Sequence, residues 1–428
     1  MKKFKDDFLL GAATAAHQVE GNNTKSDFWA QEQMAHSMFT EKSGEAVDHY
    51  NRYREDITLL AEAGLNAYRF SLEWARIEPE KGLFLKEELQ HYAEMINFCR
   101  EKGVEAIVTL HHFSSPFWLI KEGGWESEKT VEYFSRYVRF VMENIGHKLN
   151  YVCTINEANM GLQVAKLAAR YRAQAQKDAL KKNSGDGEVQ LGVDLNKMIE
   201  NMKYAAAENQ ALFGTPAPKT FTSGLSEKGD QVIIRAHEAA RKVIRELCPE
   251  LKIGLTLSLH DFQAEAGAEE AAAAEWDEEF LHYLPHIKED DFLGVQNYTR
   301  TRIGKEGILP VPEDAELTLM NYEFYPQALE HVLRKVAQSF DGELLVTENG
   351  ISTEDDKRRI AFIDQATDGV ARCIADGLDV RGYFYWSLLD NFEWQKGFGI
   401  PFGLIAVDRE NAQQRYPKES LGFLGSLR

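Results

Sequence analysis

Apolar residues along the chain gather in short runs separated by longer amphipathic stretches. Eight runs stand out: FLLGAATAA (8–16), AYRFSLEW (67–74), EAIVTLHH (105–112), YVCTINE (151–157), KIGLTLS (252–258), FLGVQNY (292–298), LLVTENG (344–350) and GYFYWSLL (382–389). The later runs are almost continuously apolar at their starts, as strands buried on both faces of a parallel sheet are. Between the runs lie helical patterns such as RYREDITLLAEAG (52–64) and EELQHYAEMINFCREKG (87–103), whose closing Gly64 and Gly103 suit helix C-caps. Eight strand–helix units predict an α/β fold, a (β/α)8 TIM barrel, with residues 1–428 forming one catalytic domain. A doubly wound open sheet is the alternative, but no glycine-rich phosphate turn follows an early strand.

One stretch breaks the rhythm. Residues 160–225 hold Ala-, Lys- and Gln-rich helical sequence, then KKNSGDGEVQ and GTPAPKTFTSG, before the fifth run. We read it as an elaborated loop on the strand-four side. The segment EAGAEEAAAAEW (265–276) reads as a solvated helix face.

Composition narrows the function classes. Hydrophobic residues make up 44% and charged ones 27% of the 428 positions, with a net charge of −19. That balance repels phosphate backbones and anionic membrane surfaces, so neither nucleic acid nor membrane is expected as a partner. No run reaches the roughly 18 apolar residues of a membrane span, and the amino-terminal stretch fails as a secretory signal. Four scattered cysteines (99, 153, 248 and 373) without CxxC spacing read as reduced core residues, and a cytoplasmic location is expected. A homo-oligomer stays open.

The ends of the predicted strands carry the chemistry. His17, Gln18 and Glu20 follow strand one, Arg69 and Glu73 lie in or after strand two, and His111 and His112 close strand three. Asn156 and Glu157 close strand four, Gln296 and Tyr298 strand six, and Glu348 strand seven. Trp386 lies in strand eight, with Asp390, Glu393 and Trp394 just beyond. Such crowding falls at the carboxyl end of the barrel, where active sites sit. Glu157 and Glu348 are far apart in sequence, yet strands four and seven face each other across a barrel mouth. Two carboxyls so placed can cleave a glycosidic bond: one protonates the leaving oxygen, the other attacks the anomeric carbon or activates water. Their pKa values must be pushed apart for this. Arg69 and Tyr298, if they reach Glu348, would keep it charged.

Six motifs together resemble glycoside hydrolase family one, the retaining β-glycosidases of compact archaeal and bacterial type: TINEANM, VTENG, HQVEGNN, YRFSLEW, TLHHFSSPFW and GYFYWSLLDNFEW. The resemblance implies a retaining exo-β-glycosidase, foremost a β-glucosidase that could also take β-galactosides or β-fucosides. By motif position it implies Glu157 as acid/base and Glu348 as nucleophile. Asn156 then meets the sugar 2-hydroxyl, and Arg69 and Tyr298 position the nucleophile. Gln18, His112, Glu393 and Trp394 hold the hydroxyls of the non-reducing sugar, and Trp386 lies beneath its ring. The implied ligand is a small-molecule β-glycoside or short oligosaccharide, with no metal or organic cofactor. Members that prefer 6-phosphosugars usually lack a carboxylate at the Glu393 position, so a neutral sugar is expected.

The chain departs from the pattern at Ala158, where proline is usual, at Gln296 in place of asparagine, and at Phe113 in place of tryptophan. Loss of the proline is expected to loosen the placement of Glu157. Blander roles remain for other residues. His111 should point away from the mouth and pack, and His17 is either a core hydrogen-bonder or a support. Glu20 and Glu73 read as supports, and Trp29, Trp74, Trp118 and Trp125 as packing or rim. Three alternatives stay open: a transglycosylase using the same groups, a sugar-binding barrel without catalysis, and a 6-phospho-β-glucosidase.

Overall fold

The computed structural model describes residues 2–178 and 195–428. Eight parallel strands close into a barrel: β1 (Leu9–Ala13), β2 (Ala67–Ser71), β3 (Glu105–His111), β4 (Tyr151–Ile155), β5 (Lys252–Ser258), β6 (Phe292–Gln296), β7 (Glu343–Asn349) and β8 (Val380–Trp386). Each pairs with its neighbours in sequence order, and β1 closes on β8 with Leu9 opposite Gly382 and Ala13 opposite Trp386. The near-continuous burial of β2, β6 and β8 accounts for their unbroken apolar runs.

The helices follow from periodicity. Helix Lys129–Ile145 buries Tyr133, Phe134, Tyr137, Val138, Val141, Met142 and Ile145, a single stripe at three- and four-residue spacing. That stripe packs on helix Glu227–Leu247, which covers the outside of β4 and β5. The patterns at 52–64 and 87–103 become helices His49–Glu62 and Lys86–Glu101. Gly64 follows the first with φ +96°, a left-handed turn that a β-carbon would strain.

Between β4 and β5 run three helices, Met160–Asp178, Leu195–Phe213 and Glu227–Leu247. The polar KKNSGDGEVQ stretch lies outside the described residues. The Ala-rich segment differs from expectation. Its helix, Glu269–Trp276, is not simply solvated: Ala272 and Trp276 are buried, and Ala268 and Ala272 pack with Ile303. Ile303 belongs to a small sheet above the barrel (Asp261–Ala264, Arg300–Gly304 and Gly307–Ile308) that short-strand patterning did not reveal. No described helix is long and apolar enough to cross a membrane.

Candidate active site

The expected runs overshoot the ladders at their carboxyl ends, because there the backbone leaves the sheet to aim side chains into the mouth. At β4 the ladder stops at Ile155. Asn156 N–H still donates to His111 O (2.8 Å), and Glu157 turns with φ +43°. The turn is then tied to β5: Glu157 N–H donates to Thr256 Oγ1 (2.9 Å), and Ala158 N–H to Thr256 O (3.1 Å). Both bonds oppose the loosening expected from the absence of proline. Alanine keeps an N–H that proline lacks, and the structure uses it.

At β7 the register breaks between Val346 and Glu348 on the β6 side and between Val346 and Asn349 on the β8 side. Such an irregularity re-aims a side chain, and here it lies at Glu348. That carboxylate is held by three donors: Arg69 Nη1 at 2.7 Å and Gln296 Nε2 at 3.1 Å from Oε1, and Tyr298 OH at 2.7 Å from Oε2. Gln296 thus fills the place of the usual asparagine and also donates to Asn156 Oδ1 (2.8 Å). Asn156 Oδ1 further accepts from Arg69 Nη2 (2.5 Å) and Thr256 Oγ1 (3.2 Å). With its acceptor side committed, the Asn156 amide presents Nδ2 to His112 Nε2 (3.1 Å). That bond places the imidazole proton on Nδ1, which has no partner among the described residues.

Glu157 and Glu348 line one cavity with His112, Phe113, Tyr298, Met320, Tyr322, Trp386, Glu393, Trp394 and Phe402. Burial raises the pKa of both glutamates. Glu157 is raised well above its ordinary value, by burial first and then by the negative charge of Glu348. Glu348 is raised less far, because Arg69, Tyr298 and Gln296 stabilise its anion. The proton of the pair therefore resides on Glu157 and the charge on Glu348. His112 is driven well below 6.5 by burial and by the Arg69 charge, so it is a neutral donor near neutrality.

Glu393 is pushed up to about 8, chiefly by burial and then by Glu348, although Gln18 and Trp386 hydrogen-bond to it. Gln18 Nε2 donates to Phe392 O (2.9 Å), Asn391 Oδ1 (3.3 Å) and Glu393 Oε2 (3.3 Å). Its buried Oε1 has no partner among the described residues. The rings of Trp386 and Trp394 lie 5.8 and 6.0 Å from that of His112. Seven of the ten candidates line this cavity, and Gln18, Arg69 and Asn156 are hydrogen-bonded to the lining residues Glu393, Glu348 and His112.

The supporting residues sort as follows. His111 turns from the mouth to bond Ser115 Oγ (3.0 Å) against Trp125 and Phe221. His17 bonds Glu32 (2.8 Å) and Asn23 (3.0 Å), and its ring lies parallel to Trp394 at 6.2 Å, which makes it a prop behind the cavity. Glu20 accepts from Tyr92 and Arg76, and Glu73 from Ser114 and its own helix start. Neither glutamate lines the cavity, and neither do Trp29, Trp74, Trp118 or Trp125. Sequence reasoning missed Met320, Tyr322 and Phe402. They come from irregular segments without periodicity, and LTLMNY (317–322) offered only an apolar pair of positions beside a tyrosine. No group of three or more potential metal ligands occurs among the described residues.

A closed parallel barrel with two buried carboxyls of divided protonation at its mouth is the architecture of a glycoside hydrolase. The model of glycosyl hydrolase family 1 matches residues 1–184 and 282–428, and the chain belongs to that family. β-Glucosidase A of Thermotoga maritima is 28% identical over 98% of this chain and 96% of its own length. β-Glucosidase 4 of Oryza sativa subsp. japonica is 30% identical over 97% and 93%. Among solved structures, β-glycosidase BGL167 superposes with a TM-score of 0.85 at 43% identity, covering 100% of this chain and 97% of that one. The Thermotoga maritima β-glucosidase in complex with cyclophellitol gives 0.78 at 26% identity, covering 100% and 98%.

Proposed function

We propose that the protein is a retaining exo-β-glycosidase, foremost a β-glucosidase, acting on small β-glycosides or short oligosaccharides. The observation that carries this reading is the asymmetry of the carboxyl pair: three donors, one of them the Arg69 guanidinium, converge on Glu348, whereas burial and the Glu348 charge raise the pKa of Glu157 in the same cavity. In the first step Glu348 attacks the anomeric carbon as the bond to the glycosidic oxygen breaks. Glu157 delivers its proton to that oxygen, leaving a glycosyl–enzyme ester and a free alcohol. In the second step Glu157, now a carboxylate, takes a proton from water. The hydroxide equivalent displaces Glu348, restoring both groups.

In this reading Asn156 faces the 2-hydroxyl. Gln18, His112, Glu393 and Trp394 bind the remaining hydroxyls, and Trp386 supports the sugar ring. The spare polar atoms Gln18 Oε1 and His112 Nδ1 support it, since buried polar groups seek partners that hydroxyls can supply. Four free cysteines, three of them buried, support residence in the reducing cytoplasm. The deciding experiment is a panel of nitrophenyl β-glycosides that includes a 6-phosphoglucoside, combined with trapping by a 2-deoxy-2-fluoro-β-glucoside. Turnover of the neutral glucoside and a mass increment on the peptide holding Glu348 are expected. Label on another residue, or turnover of the phosphosugar alone, would overturn the assignment.

A further inference from the structure

Outside the cavity, an ion pair with no contact to it holds one of its walls. Lys418 Nζ lies 2.9 and 2.8 Å from the two oxygens of Asp390 and donates to Gly403 O at 2.8 Å. Asp390 Oδ1 in turn accepts from Gly403 N–H at 2.7 Å. A β-carbon on Gly403 would stand 2.0 Å from Asp390 N, so only glycine allows this approach. On the other side of Phe402, Pro401 O accepts from Thr353 N–H (3.1 Å) and from the buried Arg359 (3.3 Å). The backbone around Phe402 is thus pinned from both directions. Its side chain is buried in the cavity wall, edge-to-face with Tyr298 at 6.1 Å and 76°. Tyr298 is the phenol that donates to Glu348.

We propose that Lys418 is a positioning residue for Glu348: with Asp390 it fixes Gly403 and Phe402, and Phe402 keeps the Tyr298 phenol on the carboxylate. The inference rests on Glu348 being the nucleophile. An ion pair that merely fastened the carboxy-terminal segment would need no bonds to both the N–H and the C=O of Gly403, next to a cavity residue. The charged and titratable groups facing Glu348 are Arg69, Tyr298, His112 (Nε2 at 3.9 Å), Glu157, Glu393 and the Cys153 thiol. Weakening the Tyr298 bond removes one stabiliser of the anion and leaves the rest in place.

The test uses the full chain as wild type, Lys418→Met, Lys418→Arg and Phe402→Leu. It measures kcat and KM on nitrophenyl β-glucoside across pH, together with thermal midpoints. Lys418→Met and Phe402→Leu should each lower kcat about tenfold with little change in KM. Each should raise the acid limb of kcat/KM by about half to one pH unit, as expected when a carboxylate loses one hydrogen bond. Lys418→Arg should recover most of both effects. A Lys418→Met enzyme with a lower midpoint but an unmoved acid limb and unchanged kcat would overturn the proposal. If that variant does not fold, Asp390→Asn takes its place with the same two outcomes. An inactive wild type, or trapping away from Glu348, would overturn the proposed function itself. An active, Glu348-labelled wild type with an unmoved limb in the variants overturns this inference alone.

Discussion

Arg69 Nη1 stands 2.7 Å from Glu348 Oε1 while its Nη2 stands 2.5 Å from Asn156 Oδ1, so one guanidinium joins the ends of β2, β4 and β7. It is fully buried, and its fork geometry serves both partners at once. Replacing it by methionine should strand the Glu348 charge. The acid limb of kcat/KM is then expected to move up by about one to two units. The accompanying loss in kcat/KM at pH 6 should be about 10²-fold or more. Lysine should rescue poorly, because a point charge cannot hold both oxygens.

Glu348→Gln should keep the fold and lower kcat by about 10⁴-fold or more, the scale seen when a nucleophile is removed. Because the Glu348 charge is one cause of the raised Glu157 pKa, the same variant should also titrate Glu157 at lower pH. Carboxyl-resolved NMR or infrared titration checks this, and an unchanged Glu157 would speak against direct coupling of the pair.

Glu157→Ala should separate substrates by leaving group. Alkyl glucosides, whose oxygen needs a proton, should lose about 10²–10⁴ in kcat/KM. Dinitrophenyl glucoside should lose far less in forming the ester. Azide should restore turnover and yield a glucosyl azide, detectable by mass spectrometry. Equal loss for both substrates would remove the acid role.

Stability should follow the same carboxyl. The folded pKa of Glu157 is raised well above its unfolded value, so the native state holds a proton that the unfolded chain releases. The resulting stability is complete below the unfolded pKa and is lost as pH rises toward the folded one. Glu157→Gln removes that dependence. Its thermal midpoint should match the wild type near pH 4 and exceed it increasingly toward pH 8, as calorimetry at several pH values would show. A midpoint difference that does not grow with pH would count against the burial-driven shift.

Much of this arrangement was legible before any coordinates. All eight barrel strands were marked by apolar runs, since double-faced burial leaves a dense signal. Both glutamates, Arg69 and Tyr298 were found because they fall at strand ends, where a fixed fold turns position into direction. The strand boundaries were less legible, since Asn156, Glu157 and Tyr298 look like continuations of a strand yet lie beyond its last residue. Ala158 is half legible for a related reason: sequence shows a missing proline ring but not the Thr256 carbonyl that accepts from the freed N–H. Phe402, Met320 and Tyr322 were missed because irregular segments reach the mouth by long-range bonds such as Met320 N–H to Ser352 Oγ (3.0 Å). No local pattern encodes those partners.

The offset in β7 has an evolutionary corollary. Ladder pairing normally alternates inward and outward positions with period two, so a one-residue deletion before Glu348 would bring Asn349 into its place, and a one-residue insertion Thr347. Substitutions along Leu344–Val346 can be absorbed by repacking, but insertions and deletions there cannot. In laboratory drift this strand should accumulate apolar exchanges of similar volume while its length stays invariant.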